Sequence, residues 1–345
     1  MVDNATLRTG IIGYGLSGQV FHEPFLATNP TFSIDLVATS DPGRQALASA
    51  HYPVVATPAE LLARAGELDL VVLASPAHTH LEQGLAALEA GAAVVVDKPF
   101  AASVAEATQL VEAAERLGRP LFVFQNRRWD GDFRTVRAVV ESGLLGRVHR
   151  FESTFERFPQ PRAGRWQDTT TPAQGGGITF DLGSHLVDQA LQLFGPAELE
   201  CAELAVLREG GRNEDDAFLS LRHESGVRSH ITVSRAAGQS GPRFRVLGTE
   251  GAYSVDGLDL QETLLKAGGR PTDEGYGQTP ESAWGRIGVA GSPEGLVPYP
   301  TLPGTYADFY AGVAATIRDG APTPVEPRDA LAAFRILEQA HAMSR

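Results

Sequence analysis

A single cysteine, Cys201, stands among the 345 residues, so the chain can close no internal disulfide. That usage fits a reducing compartment, and the cytoplasm is the expected location. Cys201 lies in the strand-like run LECAELAVL and reads as a small buried hydrophobe, not a nucleophile. No apolar run approaches the roughly 18 residues of a membrane span, and none is expected. The opening MVDNATLRTG has no apolar stretch behind a basic segment, so no signal peptide is expected. Zinc-type His-Glu-x-x-His or Cys-x-x-Cys spacing is missing from residues 174–190, and no metal is expected. Positive charge is also short: 29 Lys and Arg against 42 Asp and Glu give −13. This disfavours nucleic acid and anionic membrane as partners, although Arg127-Arg128 is a candidate for a local basic pocket.

Apolar material is plentiful, at 43% of residues, and the length suggests two domains. Residues 1–125 alternate strand and helix. Apolar runs at Leu7–Ile12, Ile34–Thr39, Asp69–Ala74, Ala92–Val96 and Leu121–Phe124 read as buried strands. Helices are expected over Ser17–Ala27, Thr79–Ala90 and Ser103–Leu117, with Glu106 placed for a capping box on Ser103. Asp41-Pro42 has the chemistry of an N-cap followed by proline. The repeated β-α-β pattern predicts an α/β fold, a doubly wound parallel sheet of Rossmann type.

From 126 to 345 the pattern changes. Period-2 strands are predicted over 148–158, 198–207, 215–223, 227–233 and 243–248, with helices near 132–142, 178–194, 305–319 and 328–343. This reads as an α+β domain with a large, mostly antiparallel open sheet, one face covered by the 178–194 helix. The open face is the expected surface for a homodimer or homotetramer. Residues 267–304, rich in Gly and Pro, read as a long loop that serves as a lid or an oligomer contact.

Gly13-Tyr14-Gly15-Leu16-Ser17-Gly18 matches G-x-G-x-x-G. In a chain with 37 glycines the bare pattern says little; its place after the first strand and before a helix gives it meaning. The first Gly permits the turn, the second lets backbone approach a pyrophosphate, and the third lets the helix pack on the strand. The helix N-terminus then offers its free N–H groups to the phosphates. NAD and NADP part company at the end of the second strand. If Ser40 is the discriminating position, a 2′-phosphate is tolerated and Arg44 pairs with it. If Asp41 is, its carboxylate holds the ribose 2′-OH and NAD is preferred. Asp41 is also the expected helix cap, which tilts the reading toward NADP.

In QGGGITFDLGSHLVDQA, residues 174–190, a Gly-rich loop opens a helix on which Asp181 and His185 share a face. A carboxylate beside an imidazole fixes the ring's tautomer and supports its charged form, as a proton-transfer pair requires. The same spacing also makes ordinary surface ion pairs. The apolar stripe of Ile178, Leu182, Leu186, Leu193 and Phe194 argues for partial burial, and buried ionisable groups need a reason. Lys98 follows a buried strand and precedes Pro99, at the end of the sheet where ligands bind in open α/β folds. Arg157 and Trp166, in FERFPQPRAGRW, read either as polyol-pocket lining or as an exposed loop. Asp188 reads as a supporting or surface residue.

GYGLSG with the following Phe21-His22, VVVDKPF at 94–100, QNRRWD at 125–130 and DLGSHLVDQAL at 181–191 together resemble the Gfo/Idh/MocA oxidoreductases. The resemblance spans nearly the whole chain, and it leans toward the NADP-dependent inositol dehydrogenase type. It implies that Lys98, in a Glu-Lys-Pro-like motif where Asp97 replaces Glu, sits between nicotinamide and substrate. It implies catalytic roles for Asp181 and His185, and a nicotinamide- and substrate-bordering role for Asn126, Arg127 and Trp129. It places Ser75, Pro76 and His80 on the cofactor side. The resulting expectation is an NAD(P)-dependent dehydrogenase interconverting a hydroxyl and a ketone on a small-molecule polyol or sugar, at a cleft between the two domains. The alternatives are an NAD-dependent glycosidase of the same family and a non-catalytic cofactor-sensing regulator.

Overall fold

The computed structural model describes residues 6–158 and 170–344, so Trp166 lies outside the described residues. The chain divides into two compact units. The first takes residues up to Gln125, then Gln261–Tyr276 and Tyr306–Leu331. The second takes Asn126–Leu260, Gly277–Thr305 and the residues from Ala332 onward. One division falls between Gln125 and Asn126, but the remainder is not a single block: two later segments belong to the first unit.

In the first unit, β1 (Leu7–Ile12), β2 (Phe32–Ala38), β3 (Val54–Val55), β4 (Leu70–Leu73), β5 (Ala93–Val96) and β6 (Leu121–Val123) form a parallel sheet ordered β3-β2-β1-β4-β5-β6. Every residue of β4 and β5 is buried, as strands covered by helices on both faces require. The chain order reverses where β1 pairs β4, from Thr9 opposite Leu70 to Ile12 opposite Leu73, the switch point at which such sheets bind ligands.

Local chemistry starts and stops the helices. Asp41 Oδ1 accepts from the Arg44 amide at 2.9 Å and opens Pro42–Ser49. Ser103 Oγ accepts from the Glu106 amide and opens Val104–Leu117, which Gly118 ends at φ 60°. The Glu106 carboxylate accepts from the Ala102 amide, one residue before the cap. Helix Ala307–Asp319 lays Phe309 and Tyr310 against Phe124, Phe25 and Phe32, with ring centroids 4.9 to 6.5 Å apart. Each buried ring contributes about 2 kcal/mol of transfer free energy, which ties this late segment to the parallel sheet.

In the second unit, β7 (Val148–Glu156), β8 (Ala197–Ala205), β9 (Asp216–His223), β10 (Arg228–Ser234), β11 (Phe244–Gly248), β12 (Ala252–Val255), β13 (Gly285–Gly288) and β14 (Leu296–Tyr299) form one sheet among the described residues. Its order is β14-β13-β12-β11-β7-β10-β9-β8. Only β7 and β10 pair in parallel; the other neighbours are antiparallel. On β10, Ser229, Ile231 and Val233 are buried while Arg228, His230 and Thr232 are not, so one face forms a core and the other stays open. Helix Ser184–Phe194 covers the core face. The open face carries ion pairs, including Arg245–Glu152 at 3.2 Å and Arg222–Glu200 at 3.0 Å.

Residues 267–304 are not the structureless loop that their composition suggests. They contain β13 and β14, which extend the sheet past β12. Glycine at both ends of β13 and Pro298 within β14 hide the period-2 pattern. Pro298 lies in an edge strand, where proline is tolerated. Gly285 is required by close approach, since a Cβ there would lie 2.3 Å from the Tyr253 hydroxyl.

Candidate functional site

The first unit gathers its candidate residues at the carboxyl ends of its parallel strands. The Gly13–Gly18 turn follows β1, Ser40 and Asp41 follow β2, Ser75 and Pro76 follow β4, and Asp97-Lys98 follow β5. Gly13 has φ 97°, and a Cβ there would lie 2.5 Å from the Ala74 carbonyl oxygen; at Gly18 it would lie 2.2 Å from the Gly13 carbonyl oxygen. These two glycines are fixed by sterics. At Gly15 the nearest group to such a Cβ is the Arg44 guanidinium at 3.5 Å, so the turn keeps an open cradle with a cation beside it. Tyr14 is buried and Leu16 exposed. Glycine backbone, a following helical turn and a guanidinium suit the phosphates of a dinucleotide.

Ser40, Asp41 and Arg44 are exposed. The Asp41 carboxylate is engaged as helix cap, which leaves Arg44 as the charged side chain nearest the turn. Ser75 Oγ donates to Gln83 at 2.7 Å, and Pro76 precedes the turn Ala77–Thr79. The buried His80 ring lies with Nε2 2.9 Å from the Ser75 carbonyl oxygen and Nδ1 3.2 Å from that of Phe100. Both nitrogens face backbone, so His80 shapes the loops after β4 and β5. Burial lowers its pKa.

Lys98 is half-buried, and its peptide bond to Pro99 is cis. Its amide donates to Asp97 Oδ1 at 2.7 Å. Behind Asp97 stands His22, fully buried, with Nε2 4.0 Å from Asp97 Oδ2 and Nδ1 2.7 Å from the Tyr310 hydroxyl. Burial lowers the His22 pKa to about 4, against the opposing pull of Asp97.

In the second unit, Asp181 lies in a π-helical turn, Thr179–Gly183, and His185 in the first turn of the helix that follows. They are 6% and 3% exposed, so the pair is not a solvated surface feature. Asp181 Oδ2 accepts from Arg235 Nη2 at 2.5 Å. Glu214 anchors the start of this helix: its carbonyl accepts from Ile178 and its Oε1 from the Thr179 amide at 3.0 Å. Burial raises the Glu214 pKa.

Asn126 and Arg127 are buried and Trp129 is half-buried. Arg127 pairs with Asp130 at 3.1 Å, and Arg128 with Asp188 through contacts of 2.8 and 2.6 Å. The Arg127-Arg128 dipeptide is therefore charge-compensated, not a bare basic pocket, and Asp188 is a structural partner. Arg157 lies over the Phe155 ring at 4.7 Å, and Arg127 packs on that ring at 4.9 Å. Arg235, Glu214 and Tyr310 escape a motif-based reading. Their only sequence signal is charge or hydroxyl chemistry beside apolar runs. No cluster that could hold a metal ion occurs among the described residues, and none of their helices is long and apolar enough to cross a membrane.

Residues 7–125 match the model of the oxidoreductase family's NAD-binding Rossmann fold, and residues 133–254 match that of the GFO/IDH/MocA C-terminal domain. The chain is 36% identical over 348 residues to the oxidoreductase YdgJ of Escherichia coli, covering 98% of this chain and 96% of that protein. It is 31% identical over 343 residues to scyllo-inositol 2-dehydrogenase (NADP(+)) IolW of Bacillus subtilis, covering 99% of this chain and 94% of that one. Among solved structures, the oxidoreductase yvaA of Bacillus subtilis superposes with a TM-score of 0.92 at 31% identity, covering 100% of this chain and 97% of that chain.

Proposed function

The chain belongs to the Gfo/Idh/MocA oxidoreductases, and on that premise we propose that it interconverts a hydroxyl and a ketone on a cyclitol or sugar, with NADP favoured over NAD. The observation that carries this reading is the buried Asp181 and His185 on one helical segment, with the acid's charge balanced by Arg235. Proton-transfer groups held out of water suit alcohol oxidation better than a purely structural role.

Gly13, Tyr14, Gly15, Leu16, Ser17 and Gly18, with Ser40, Asp41, Arg44, Ser75, Pro76 and His80, would hold and frame the dinucleotide. Lys98, Arg127 and Trp129 would border its nicotinamide. When bound, the oxidised cofactor would supply the acceptor for the hydride lost from the carbinol carbon. The Lys98 ammonium stabilises the negative charge that develops on the carbinol oxygen. His185 accepts the hydroxyl proton in oxidation and returns it in reduction, held in orientation by Asp181. Asn126 and Arg157 would complete the polyol contacts. NADP is favoured because Ser40 carries no charge, Asp41 is occupied as a cap and Arg44 stands beside Gly15.

The single cysteine fits work in a reducing cytoplasm. The open sheet face is the surface assigned to a homodimer or homotetramer, which light scattering of the purified protein tests. For activity, the protein is titrated with NADPH and NADH, then assayed by nicotinamide absorbance against inositols, inososes and aldoses. Turnover of one of these with NADP(H) preferred supports the reading. Tight cofactor binding with no turnover on any of them sinks it.

A further inference from the structure

We propose that His22 is a positioning residue for the Asp97-Lys98 loop: Tyr310 donates to its Nδ1 and its Nε2–H supports the Asp97 carboxylate. The inference rests on the assignment of Lys98 to the reaction.

The placement begins with Pro24. Its nitrogen has no hydrogen to give a carbonyl four residues back, which suits the first turn of helix Glu23–Thr28 but not a continuous α-helix running into it from Ser17. The chain passes instead through the π-helical turn Ser17–His22, in which the Glu23 amide reaches back to the Gly18 carbonyl. His22 ends this turn at φ −117°, ψ −56°, and its ring enters the core. The Phe124 ring packs on it at 4.4 Å.

A histidine that merely filled this core would be a poor choice. Its Nε2 has no hydrogen-bond partner, and a buried polar atom left unsatisfied costs about 1–3 kcal/mol that an apolar ring would not. The ring's surroundings fix what that nitrogen carries. The Asp97 carboxylate can only accept, so it favours the proton on Nε2, and the Tyr310 hydroxyl, kept protonated by burial, is then free to donate to the bare Nδ1. His22 stays neutral near pH 7, so its remaining proton is on Nε2. That N–H lies 4.0 Å from Asp97 Oδ2, close enough for electrostatic support, and a shift of about 1 Å would complete a hydrogen bond. Asp97 passes the constraint on, because its other oxygen accepts from the Lys98 amide. The Asp97 charge also acts on His80, which ties the Ser75 and Phe100 carbonyls together on either side of this loop.

The test uses the full-length protein and three substitutions. His22→Gln puts an amide nitrogen where Nε2 stands; His22→Asn puts it where Nδ1 stands; His22→Phe has none. The Asn and Phe variants are expected to lose about 10- to 100-fold in kcat, with substrate KM and NADPH affinity within about twofold. The Gln variant is expected to stay within about threefold of the parent. A structural filler would not separate Gln from Asn, so equal losses in all three, or none, overturn the proposal. Nitrogen-15 spectra of the unsubstituted protein supply a second readout independent of turnover. They should show the His22 ring protonated at Nε2 and bare at Nδ1, and the opposite tautomer also overturns it. Lys98→Met separates the two readings. If that variant is fully active, the assignment of Lys98 fails; if it is inactive while the His22 variants behave alike, only the present inference fails.

Discussion

Asp181 and Arg235 form a buried ion pair, Oδ2 to Nη2 at 2.5 Å, with side chains only 7% and 9% exposed. Removing one member takes away charge compensation in a place shielded from water, and breaking such a buried pair costs about 3–5 kcal/mol. Arg235→Met is therefore expected to lower the melting temperature sharply and to reduce kcat. Arg235→Lys should restore only part of either, since an ammonium lacks the planar fork. The double variant Asp181→Asn/Arg235→Met should recover stability without recovering turnover. Thermal melts and steady-state kinetics on the four proteins decide it; a stable, fully active Arg235→Met protein would refute the role.

Glu214 caps the helical segment that carries Asp181 and His185 from outside it. Glu214→Ala should cost about 1–3 kcal/mol by leaving the Thr179 amide unsatisfied, and Glu214→Gln, which keeps an acceptor, should cost less. Gly177→Ala should be worse than Glu214→Gln. Gly177 has φ 105°, and a Cβ there would lie 2.2 Å from Glu214 Oε1. Denaturant midpoints rank the three.

Acid should weaken the fold through its buried histidines. Burial holds the His22 pKa down to about 4 in the folded chain against about 6.5 for an ordinary imidazole, so the unfolded chain takes up the proton first. Stability is lost as pH falls from about 6.5 to about 4, by up to about 3 kcal/mol from this one ring. His80, also lowered by burial, acts in the same direction. Asp132, raised by burial to about 6, acts the opposite way: its contribution is present at low pH and lost as pH rises from 3.8 to about 6. Melting temperatures near neutrality and at mildly acid pH should fall for the parent and fall less for His22→Gln. An identical pH dependence in the two proteins contradicts the assignment.

Arg44 should set the cofactor preference. Arg44→Ala is expected to weaken NADPH binding by about tenfold or more, the loss of one charge-assisted contact to phosphate, and to leave NADH nearly unchanged. Asp41→Ala should cost about 1 kcal/mol of stability as a lost helix cap and shift the preference little. Fluorescence titrations read the first and melts the second. Equal weakening of both cofactors by Arg44→Ala would place that side chain elsewhere.

What could be read from the sequence was local. β4 and β5 announce themselves because strands buried on both faces are unbroken apolar runs, and the caps at Asp41 and Ser103 because a cap and its target lie three residues apart. The Gly13–Gly18 turn was legible for the same reason. The supports of the site were not. Arg235 lies 54 residues from Asp181, Tyr310 lies 288 from His22 and Glu214 lies 35 from Thr179, distances at which no spacing rule operates. The π turns that seat His22 and Asp181 leave little trace in composition. β13 and β14 were hidden by the glycines and the proline that their edge position tolerates.

The central claim is that Lys98 acts on the substrate oxygen. The most direct measurement compares Lys98→Met with the parent, by NADPH titration and by turnover of whichever cyclitol or sugar the parent accepts. Loss of about 1,000-fold or more in kcat, with cofactor affinity within about threefold, is the predicted result. Undiminished turnover in the Lys98→Met protein would contradict it.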